Sequence, residues 1–360
     1  MTNPCRAIDS LFEHLKSCLD SAQLASRPTQ PMLRNIAALS FAILAAKEVQ
    51  LPKVALHIPW ERPLTNLVQR LERLLKNPRF QEHQLWAPLA KDILDQAKNA
   101  TIRLVMDRTD INDRHWFLVV SLVFKGRTIP LAWSVLEDEG ASSYAEQEAL
   151  LERVLHWIPQ GCQVILLADR EFDSSALMDF CLTEGWHFCF RIRCDRWMNL
   201  PSGDRFQPKS LNLKPGQSRY FKSVFPDALK GESLSLSCRF EGKEAWYILS
   251  DLPAGASVLT HYAHRFCTEE TFRDWKKAGF HLENTHLVVP ERVSRLLFCL
   301  CLAHLWCLWW GGRSLRGGKR CELERRVERT LSVFQIGLRL LTRCIALGKR
   351  LPVQILVRLN

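Results

Sequence analysis

The chain has 360 residues, of which 47% are hydrophobic and 24% are charged. This composition excludes a largely disordered protein and is sufficient for a large core in two or three domains. Lysine and arginine number 49 against 38 acidic residues, which gives a formal net charge of +11. That surplus favours nucleic acid over an anionic membrane surface as a partner.

The cysteines and the apolar runs indicate the compartment of the protein. Its 13 cysteines include no Cys-x-x-Cys pair, which is typical of reduced thiols and not of a disulfide framework. The N-terminus has neither the basic start nor the apolar stretch of a secretory signal. The longest apolar run, LLFCLCLAHLWCLWW at 296–310, is shorter than the roughly 20 residues of a spanning helix. We therefore expect a cytoplasmic protein with a buried helix there and no membrane partner.

Residues 1–97 have the periodicity of helices. NIAALSFAILAAKEV is one apolar helix, and LTNLVQRLERLLKN is a second helix with its leucines at helical spacing. Arg70 and Arg73 lie on or beside the outer surface of the second helix. Two short helices joined by a proline-containing turn predict a DNA-binding domain of the helix-turn-helix kind. A plain helical bundle with a solvated arginine face is the alternative.

Residues 98–194 alternate between strand and helix patterns. TIRLVMD, HWFLVVSLVF, TIPLAWSVL, QVILLAD and WHFCFRIR are β-branched, apolar runs that predict strands. SSYAEQEALLERVLHWI predicts a helix capped by Ser142 or Ser143, and FDSSALMDFCLTEG predicts a helix that Gly185 ends. The order β-β-β-α-β-α-β predicts a mixed α/β sheet.

Three further segments follow this sheet. Residues 195–256 contain short strand patterns between turn residues, which predict a β-rich insertion. Residues 257–312 hold the helix YAHRFCTEETFRDWKKAGF and then the apolar helix, and we assign them to a second part of the core. Residues 313–360, beginning with GGRSLRGGKR, predict a basic helical tail.

Carboxylates follow two of the predicted strands. Asp107 ends the first strand and Asp169 ends a later one, at the rim of a sheet where ligands and metals commonly bind. Glu269, on a helix packed over the sheet, would complete a set of hard oxygen ligands for divalent cations. Such sites suit phosphodiester chemistry. A turn or helix cap is the alternative for each aspartate, and the acids that compete for these positions are Asp110, Asp113, Glu171 and Asp173.

Four polar side chains share one stripe of the helix at 262–280. Tyr262, Arg265, Glu269 and Lys276 fall on one side when the segment is drawn as a single helix. A solvated face is the alternative, since Glu269 lies four residues from two arginines. The spacing Y-x2-R-x3-E-x6-K resembles the signature of bacterial insertion-sequence DDE transposases, the large family founded by insertion sequence four.

Two aspartate motifs in the same order extend this resemblance. DRT at 107–109 is similar to the first motif of the family, and ADREFD at 168–173 is similar to the second, with Asp169 as its catalytic acid. The resemblance covers residues 100–345 and, more weakly, the N-terminal helices. It implies an RNase H-like mixed-sheet catalytic core with a β-rich insertion, beside the N-terminal helical DNA-binding domain. It also implies Asp107, Asp169 and Glu269 as catalytic Mg²⁺ ligands, with Mn²⁺ able to substitute.

The resemblance further implies contacts with DNA. Tyr262, Arg265 and Lys276 would bind phosphates of the transposon end, since their side chains suit that chemistry. Family members cleave the strand at the transposon end, many through a DNA hairpin. Trp246 in the insertion is a candidate to stack against an extruded base, and a core tryptophan is the alternative.

The function implied is that of a transposase that binds terminal inverted repeats and catalyses strand cleavage and transfer. Its partners would be double-stranded DNA at the transposon ends, target DNA and a second copy of the chain in a homodimeric synaptic complex. The expected location is a prokaryotic cytoplasm, associated with the nucleoid. The alternatives are a non-catalytic DNA-binding repressor or domesticated relic, and an RNase H-fold nuclease or resolvase acting on branched DNA.

Overall fold

The computed structural model describes residues 3–20, 22, 24, 27–137, 139–227, 229, 231–318, 323–324, 329–349 and 351. Parts of the predicted C-terminal tail, residues 319–322, 325–328, 350 and 352–360, lie outside them. The helices are α1 (Asn3–Asp20), α2 (Gln30–Ala46), α3 (Leu51–Ala55), α4 (Leu64–Lys76), α5 (Glu82–Asp95), α6 (Tyr144–Leu155), α7 (Ser175–Thr183), α8 (Ala256–Ala263), α9 (Phe266–Trp275), α10 (Pro290–Arg316) and α11 (Val333–Ala346).

Ten strands form one mixed sheet within the described residues, in the order β3-β2-β1-β4-β5-β10-β9-β8-β6-β7. The predicted mixed α/β sheet is therefore confirmed. The strands are β1 (Thr101–Asn112), β2 (His115–Phe124), β3 (Arg127–Leu136), β4 (Gln163–Ala168), β5 (His187–Arg191), β6 (Met198–Asn199), β7 (Arg205–Phe206), β8 (Ser218–Pro226), β9 (Leu234–Glu241) and β10 (Glu244–Ser250).

The first half of the sheet has the predicted β-β-β-α-β-α-β order. β1, β2 and β3 are antiparallel neighbours, whereas β4 is parallel to β1 and β5 is parallel to β4. Parallel strands need crossover connections, which α6 and α7 supply. Ser143 begins α6 with a capping box that includes Glu146, and Gly185, at φ +67°, follows the end of α7 in the left-handed region.

Asp107 does not end its strand, contrary to the prediction. β1 continues to Asn112, because its second half pairs with β2 as a hairpin. The parallel ladder between β1 and β4 nevertheless ends at the pair Met106 and Ala168. Asp107 and Asp169 each come directly after that last pair, so the two aspartates lie at the same edge of the parallel part of the sheet.

The segment predicted as a β-rich insertion extends the core sheet. β10 is antiparallel to β5, with Leu249 opposite Phe190, and β9 and β8 continue the sheet outward. The β-rich character of residues 195–256 agrees with the prediction. Its strands share hydrogen bonds with the core, which the sequence pattern did not indicate.

A continuous apolar core joins the N-terminal helices to the sheet. Trp86 of α5 contacts Trp133 of β3 and Phe298 of α10, with ring centroids 5.4 and 5.6 Å apart. Among the described residues, α10 is long and apolar enough to cross a membrane, but 94% of its most apolar window is buried inside the protein. The buried helix predicted at 296–310 is therefore confirmed.

Candidate functional site

An open cleft of about 450 Å³ lies at the edge where Asp107 and Asp169 emerge. All three predicted acids line it, because Glu269 of α9 is also part of its wall. The other lining residues are Arg108, Thr109, Arg265, Phe272, Arg273, Lys276 and Lys277. The cleft therefore combines three carboxylates with several cations, which is a site for negatively charged ligands.

Asp107 is buried at the floor of this cleft. Its Oδ1 accepts a hydrogen bond from the backbone N–H of Arg108 at 2.9 Å, and its Oδ2 accepts one from Nη1 of Arg265 at 3.0 Å. Burial raises the pKa of Asp107 to about 7; Arg265 opposes this shift, and the neighbouring Asp169 adds to it. Both oxygens of Asp107 are thus engaged.

Arg265 connects two of the three acids. It lies between α8 and α9, and its guanidinium donates to Asp107 and also to Oε1 of Glu269. Burial alone would lower the pKa of Arg265, but the carboxylates of Asp107 and Glu269 and the nearby Tyr262 outweigh burial and raise it. The guanidinium carbon lies 4.7 Å from the centre of the Phe266 ring. The side chain is therefore a permanent cation inside the cleft.

Asp169 is held in a short turn directly after β4. Its Oδ1 accepts a hydrogen bond from the backbone N–H of Glu171 at 2.8 Å. The Glu171 side chain forms an ion pair with Arg108, with 2.7 Å between Oε1 and Nε. Arg108 also donates to the carbonyl of Gly140 at 2.6 Å. From the sequence, Glu171 is only a competitor of Asp169, yet its side chain connects the two aspartate motifs. The sequence signal for this ion pair is Arg108, the arginine directly after Asp107.

Lys276 lies beyond the end of α9, at the mouth of the cleft. Its Nζ donates to the hydroxyl of Thr109 at 3.0 Å and to Oδ1 of Asp110 at 2.9 Å. The hydrogen bond from Lys276 is the main reason that the pKa of Asp110 is lowered. The lysine is half-buried and binds no member of the three-acid set in the described contacts.

The single helix predicted at 262–280 is wrong, because α8 ends at Ala263 and α9 begins at Phe266. As a result the four signature residues do not share one solvated face. Tyr262 is fully buried and Arg265 is almost so, whereas Glu269 is exposed.

Trp246 of β10 lies next to this break between the helices. Its ring stacks on Phe266 with centroids 5.4 Å apart, and it meets Tyr262 edge-to-face at 5.3 Å. It is partly exposed, so one part of the ring packs against protein and another part reaches the surface.

The predicted DNA-binding arginines of the N-terminal region do not line the acidic cleft. Arg70 of α4 donates to Oδ1 of Asn35 at 2.6 Å, and its guanidinium carbon lies 4.9 Å from the centre of the Trp60 ring. Arg73 is exposed and reaches Oε1 of Gln69 at 3.5 Å.

A buried polar network that the sequence did not reveal fastens α9 to β3. The guanidinium of Arg127 pairs with Asp274 and also with Glu270, at 3.4 Å from the latter. The backbone N–H of Thr128 donates to the hydroxyl of Thr271 at 2.8 Å. These contacts fix the position of the helix that carries Glu269.

The chemistry of the three acids fits a divalent cation, but their present arrangement fits a guanidinium. Carboxylate oxygens are the ligands that Mg²⁺ and Mn²⁺ prefer. Within the part of the chain that the structure describes, no group of three histidine, cysteine or acidic residues has the arrangement of a metal site. Asp107 and Glu269 instead share Arg265.

Comparison with known proteins gives one family. The family model described as transposase DDE domain matches residues 88–306, which is more than half of the chain and includes Asp107, Asp169 and Glu269. No curated protein gives a significant match. The matched region begins within α5 and ends within α10, so it takes in the whole sheet.

Proposed function

Because the chain belongs to the transposase DDE domain family, we propose that it is an insertion-sequence transposase of the Y-R-E-K group. It binds terminal inverted repeats and catalyses cleavage and strand transfer at the ends of its element. The observation that supports this most directly is the convergence of Asp107, Asp169 and Glu269 on one cleft. Three carboxylates from three distant parts of the chain meet there with a lining of cations.

Asp107, Asp169 and Glu269 are the catalytic acids in this proposal. Transposases of this family generally use divalent metal ions, and we assign these three residues as the ligands of Mg²⁺, with Mn²⁺ able to substitute. Held by these three residues, a divalent ion would supply activation of the attacking oxygen and stabilisation of the leaving one. The chain itself contributes the rigid frame: the β1–β4 register aligns the two aspartates, and the network between Arg127 and Asp274 fixes the helix of Glu269.

Phosphates of the transposon end bind along the cationic walls of the cleft. Lys276 lies at its mouth and Arg265 at its floor, and we assign both to phosphate binding together with Tyr262. Tyr262 is fully buried, so its contact with phosphate requires the side chain to become exposed when DNA binds. Trp246, with its partly exposed ring beside Phe266, is assigned to stacking with an extruded base.

The remaining assignments concern the whole protein. The core is RNase H-like, which the mixed sheet and the position of the acids at its edge support. The N-terminal helices, with Arg70 and Arg73, bind DNA outside the cleft. Two copies of the chain join two ends in a synaptic complex that works in a prokaryotic cytoplasm, at the nucleoid.

A non-catalytic DNA-binding protein is the second candidate, and one observation favours it. The ion pairs of Arg265 with Asp107 and Glu269 are also what a structural use of the acids would produce. A repressor or domesticated relic of this kind would keep its affinity for the ends and lack cleavage.

Labelled duplexes built from the inverted repeats that flank the reading frame separate these functions. The wild type is expected to nick them at the repeat edge in Mg²⁺ and not in EDTA. Asp169→Asn and Glu269→Gln are expected to bind the duplex and leave it intact. Asp113→Asn, which removes an exposed carboxylate of the β1–β2 turn outside the cleft, is the matched control and should cleave normally.

Two outcomes would contradict the proposal. Binding of the ends by the wild type without cleavage in Mg²⁺ or Mn²⁺ would indicate the repressor or relic. Preferential cleavage of four-way junctions over linear ends would indicate a nuclease or resolvase.

A further inference from the structure

Arg265 differs from the other cations of the cleft in its partners and its burial. Its side chain is 7% exposed and binds two of the proposed acids. Arg273 is 63% exposed and pairs with Glu270, whereas Lys276 pairs with Asp110. Among the described contacts of the cleft, Arg265 is thus the cationic side chain that binds Asp107 and Glu269.

The Arg265 guanidinium donates to one oxygen of Asp107 and one of Glu269, which are oxygens that a metal ion would also use. Asp107 presents one oxygen to the backbone of Arg108 and the other to Arg265. A cation that binds Asp107 through Oδ2 therefore competes there with Arg265. The same holds for Glu269, whose Oε1 accepts a hydrogen bond from the Arg265 guanidinium.

Arg265 can leave the carboxylates of Asp107 and Glu269 at low cost only if another cation takes its place. A buried carboxylate that loses its charged partner strongly destabilises the folded state, so Asp107 needs another cation when Arg265 leaves. The displaced guanidinium likewise needs a new anion. An arginine fork binds phosphate oxygens as well as it binds carboxylate oxygens, and DNA in the cleft offers such oxygens.

We propose that Arg265 is a resident counterion of the acidic site, which a divalent cation displaces and which then binds a phosphate of the transposon end. The inference rests on the proposed function, since it assumes that metal and DNA meet in this cleft. This exchange makes metal binding and DNA binding cooperative. The metal ion supplies the positive charge that the carboxylates lose when Arg265 leaves, and the DNA phosphate supplies the negative charge that Arg265 loses. By linkage, the DNA end must tighten metal binding by the same factor as metal tightens DNA binding.

The position of Arg265 in the fold suits such an exchange. It lies in the short connection between α8 and α9, from which its guanidinium reaches both Asp107 and Glu269. The face of Phe266, 4.7 Å away, offers a cation–π contact while the guanidinium is between anions.

The test measures Mn²⁺ affinity from the electron paramagnetic resonance signal of the free ion, without any cleavage assay. Wild type and Arg265→Gln are titrated alone and with a pre-nicked end duplex that carries a 3′-deoxy terminus, which binds but cannot react. Mn²⁺ bound by the duplex alone is subtracted. Circular dichroism confirms that each variant is folded.

For the wild type, the duplex is expected to tighten Mn²⁺ binding about tenfold. Arg265→Gln without DNA is expected to bind Mn²⁺ about tenfold more tightly than the wild type, and to gain less than about threefold from the duplex. Arg265→Lys, which keeps the charge and loses the fork, should fall between them. Arg273→Gln removes an exposed charge of the same cleft and is expected to change the affinity without DNA less than about twofold.

An unchanged or weaker Mn²⁺ affinity of folded Arg265→Gln would overturn the inference. If Asp169→Asn abolishes Mn²⁺ binding in the same experiment, the proposed metal site stands even though the role of Arg265 does not. Absence of Mn²⁺ binding by every protein, with or without the duplex, would overturn both.

Discussion

Arg108 brings the two aspartate motifs together through a single side chain. Its Nε pairs with Glu171 at 2.7 Å and its Nη1 donates to Gly140. Asp107 is the preceding residue, and Asp169 holds the backbone of Glu171. The relative position of Asp107 and Asp169 therefore depends on the ion pair between their neighbours Arg108 and Glu171.

We predict that Arg108→Gln and Glu171→Gln each slow cleavage by at least about tenfold, because a displacement near 1 Å at a reacting centre has costs of that order. The effects should be strongly non-additive, with a double variant no worse than the more damaging single one. Single-turnover cleavage of the end duplex by the four proteins measures this. Effects that simply multiply would show that the pair does not act as a unit.

The chemical types at the site were predictable, but their exposure was not. The sequence predicts Asp107, Asp169 and Glu269 as candidates because acids next to apolar runs and the signature spacing are properties of the chain itself. The burial of Tyr262 depends on the strands that lie beneath α8, which include β1, β4 and β5, and these are distant from it in sequence. No local periodicity contains that information.

At the scale of elements, α10 and α11 cross at two glycines. A Cβ at Gly337 would lie 1.8 Å from the carbonyl oxygen of Cys307, and a Cβ at Gly311 would lie 1.8 Å from that of Val333. Neither glycine can accept a side chain unless the two helices separate. The two glycines therefore allow the backbones of α10 and α11 to come into direct contact.

Gly337→Ala is predicted to destabilise the protein by about 1–3 kcal/mol, the usual cost of overpacking. Gly312→Ala is the matched control, because a Cβ there meets nothing within 4 Å. Alanine at position 312 should be neutral or stabilising by up to about 1 kcal/mol, since it is a better helix former than glycine. Thermal unfolding of the two variants beside the wild type measures the difference; equal melting temperatures would show that the crossing is looser than described.

The elements also divide into those that the sequence specified and those that it did not. Caps and glycine ends predicted the limits of α6 and α7, because these are local hydrogen-bonding signals. The extension of β1 beyond Asp107 was missed, since it depends on pairing with β2. The break between α8 and α9 was missed as well, because neither glycine nor proline marks it.

At the scale of the whole molecule, one buried histidine links stability to pH. His304 of α10 is fully buried and donates from Nε2 to the carbonyl of Thr128 at 3.1 Å. Burial lowers the pKa of His304 to about 3 from its usual value of 6.5. The unfolded chain takes up a proton near pH 6.5 and the folded chain does not, so the stabilising contribution is complete above that pH and is lost as the pH falls toward 3.

We therefore predict that His304 lowers the free energy of unfolding by about 2 kcal/mol when the pH falls from 7 to 5. His304→Gln keeps a donor for the Thr128 carbonyl and does not titrate, so its stability should fall less over the same range. Urea unfolding of both proteins at pH 7 and pH 5 gives the comparison. Parallel losses in the two proteins would show that other groups carry the pH dependence.

The overall architecture was only partly available from the chain. The sequence predicted a helical N-terminal region, a mixed sheet and a β-rich segment, since each has a characteristic periodicity. It did not predict that β10 joins β5 or that Trp86, Trp133 and Phe298 form one cluster. Such contacts join residues far apart in the chain, and many pairings are compatible with the same local patterns.

The shared core of the N-terminal helices and the sheet has a consequence for how this protein can diversify. α5 packs on β3 and α10 through Trp86. The N-terminal helices therefore cannot be exchanged for those of another protein without disrupting the apolar core that they share with the sheet. Recombination between relatives within this region would produce hybrid proteins whose core side chains do not pack together, and such hybrids are expected to fold poorly. With the DNA-binding role proposed for these helices, new preferences for DNA are expected to arise through single substitutions on the surface, and lineages of such elements should drift in small steps.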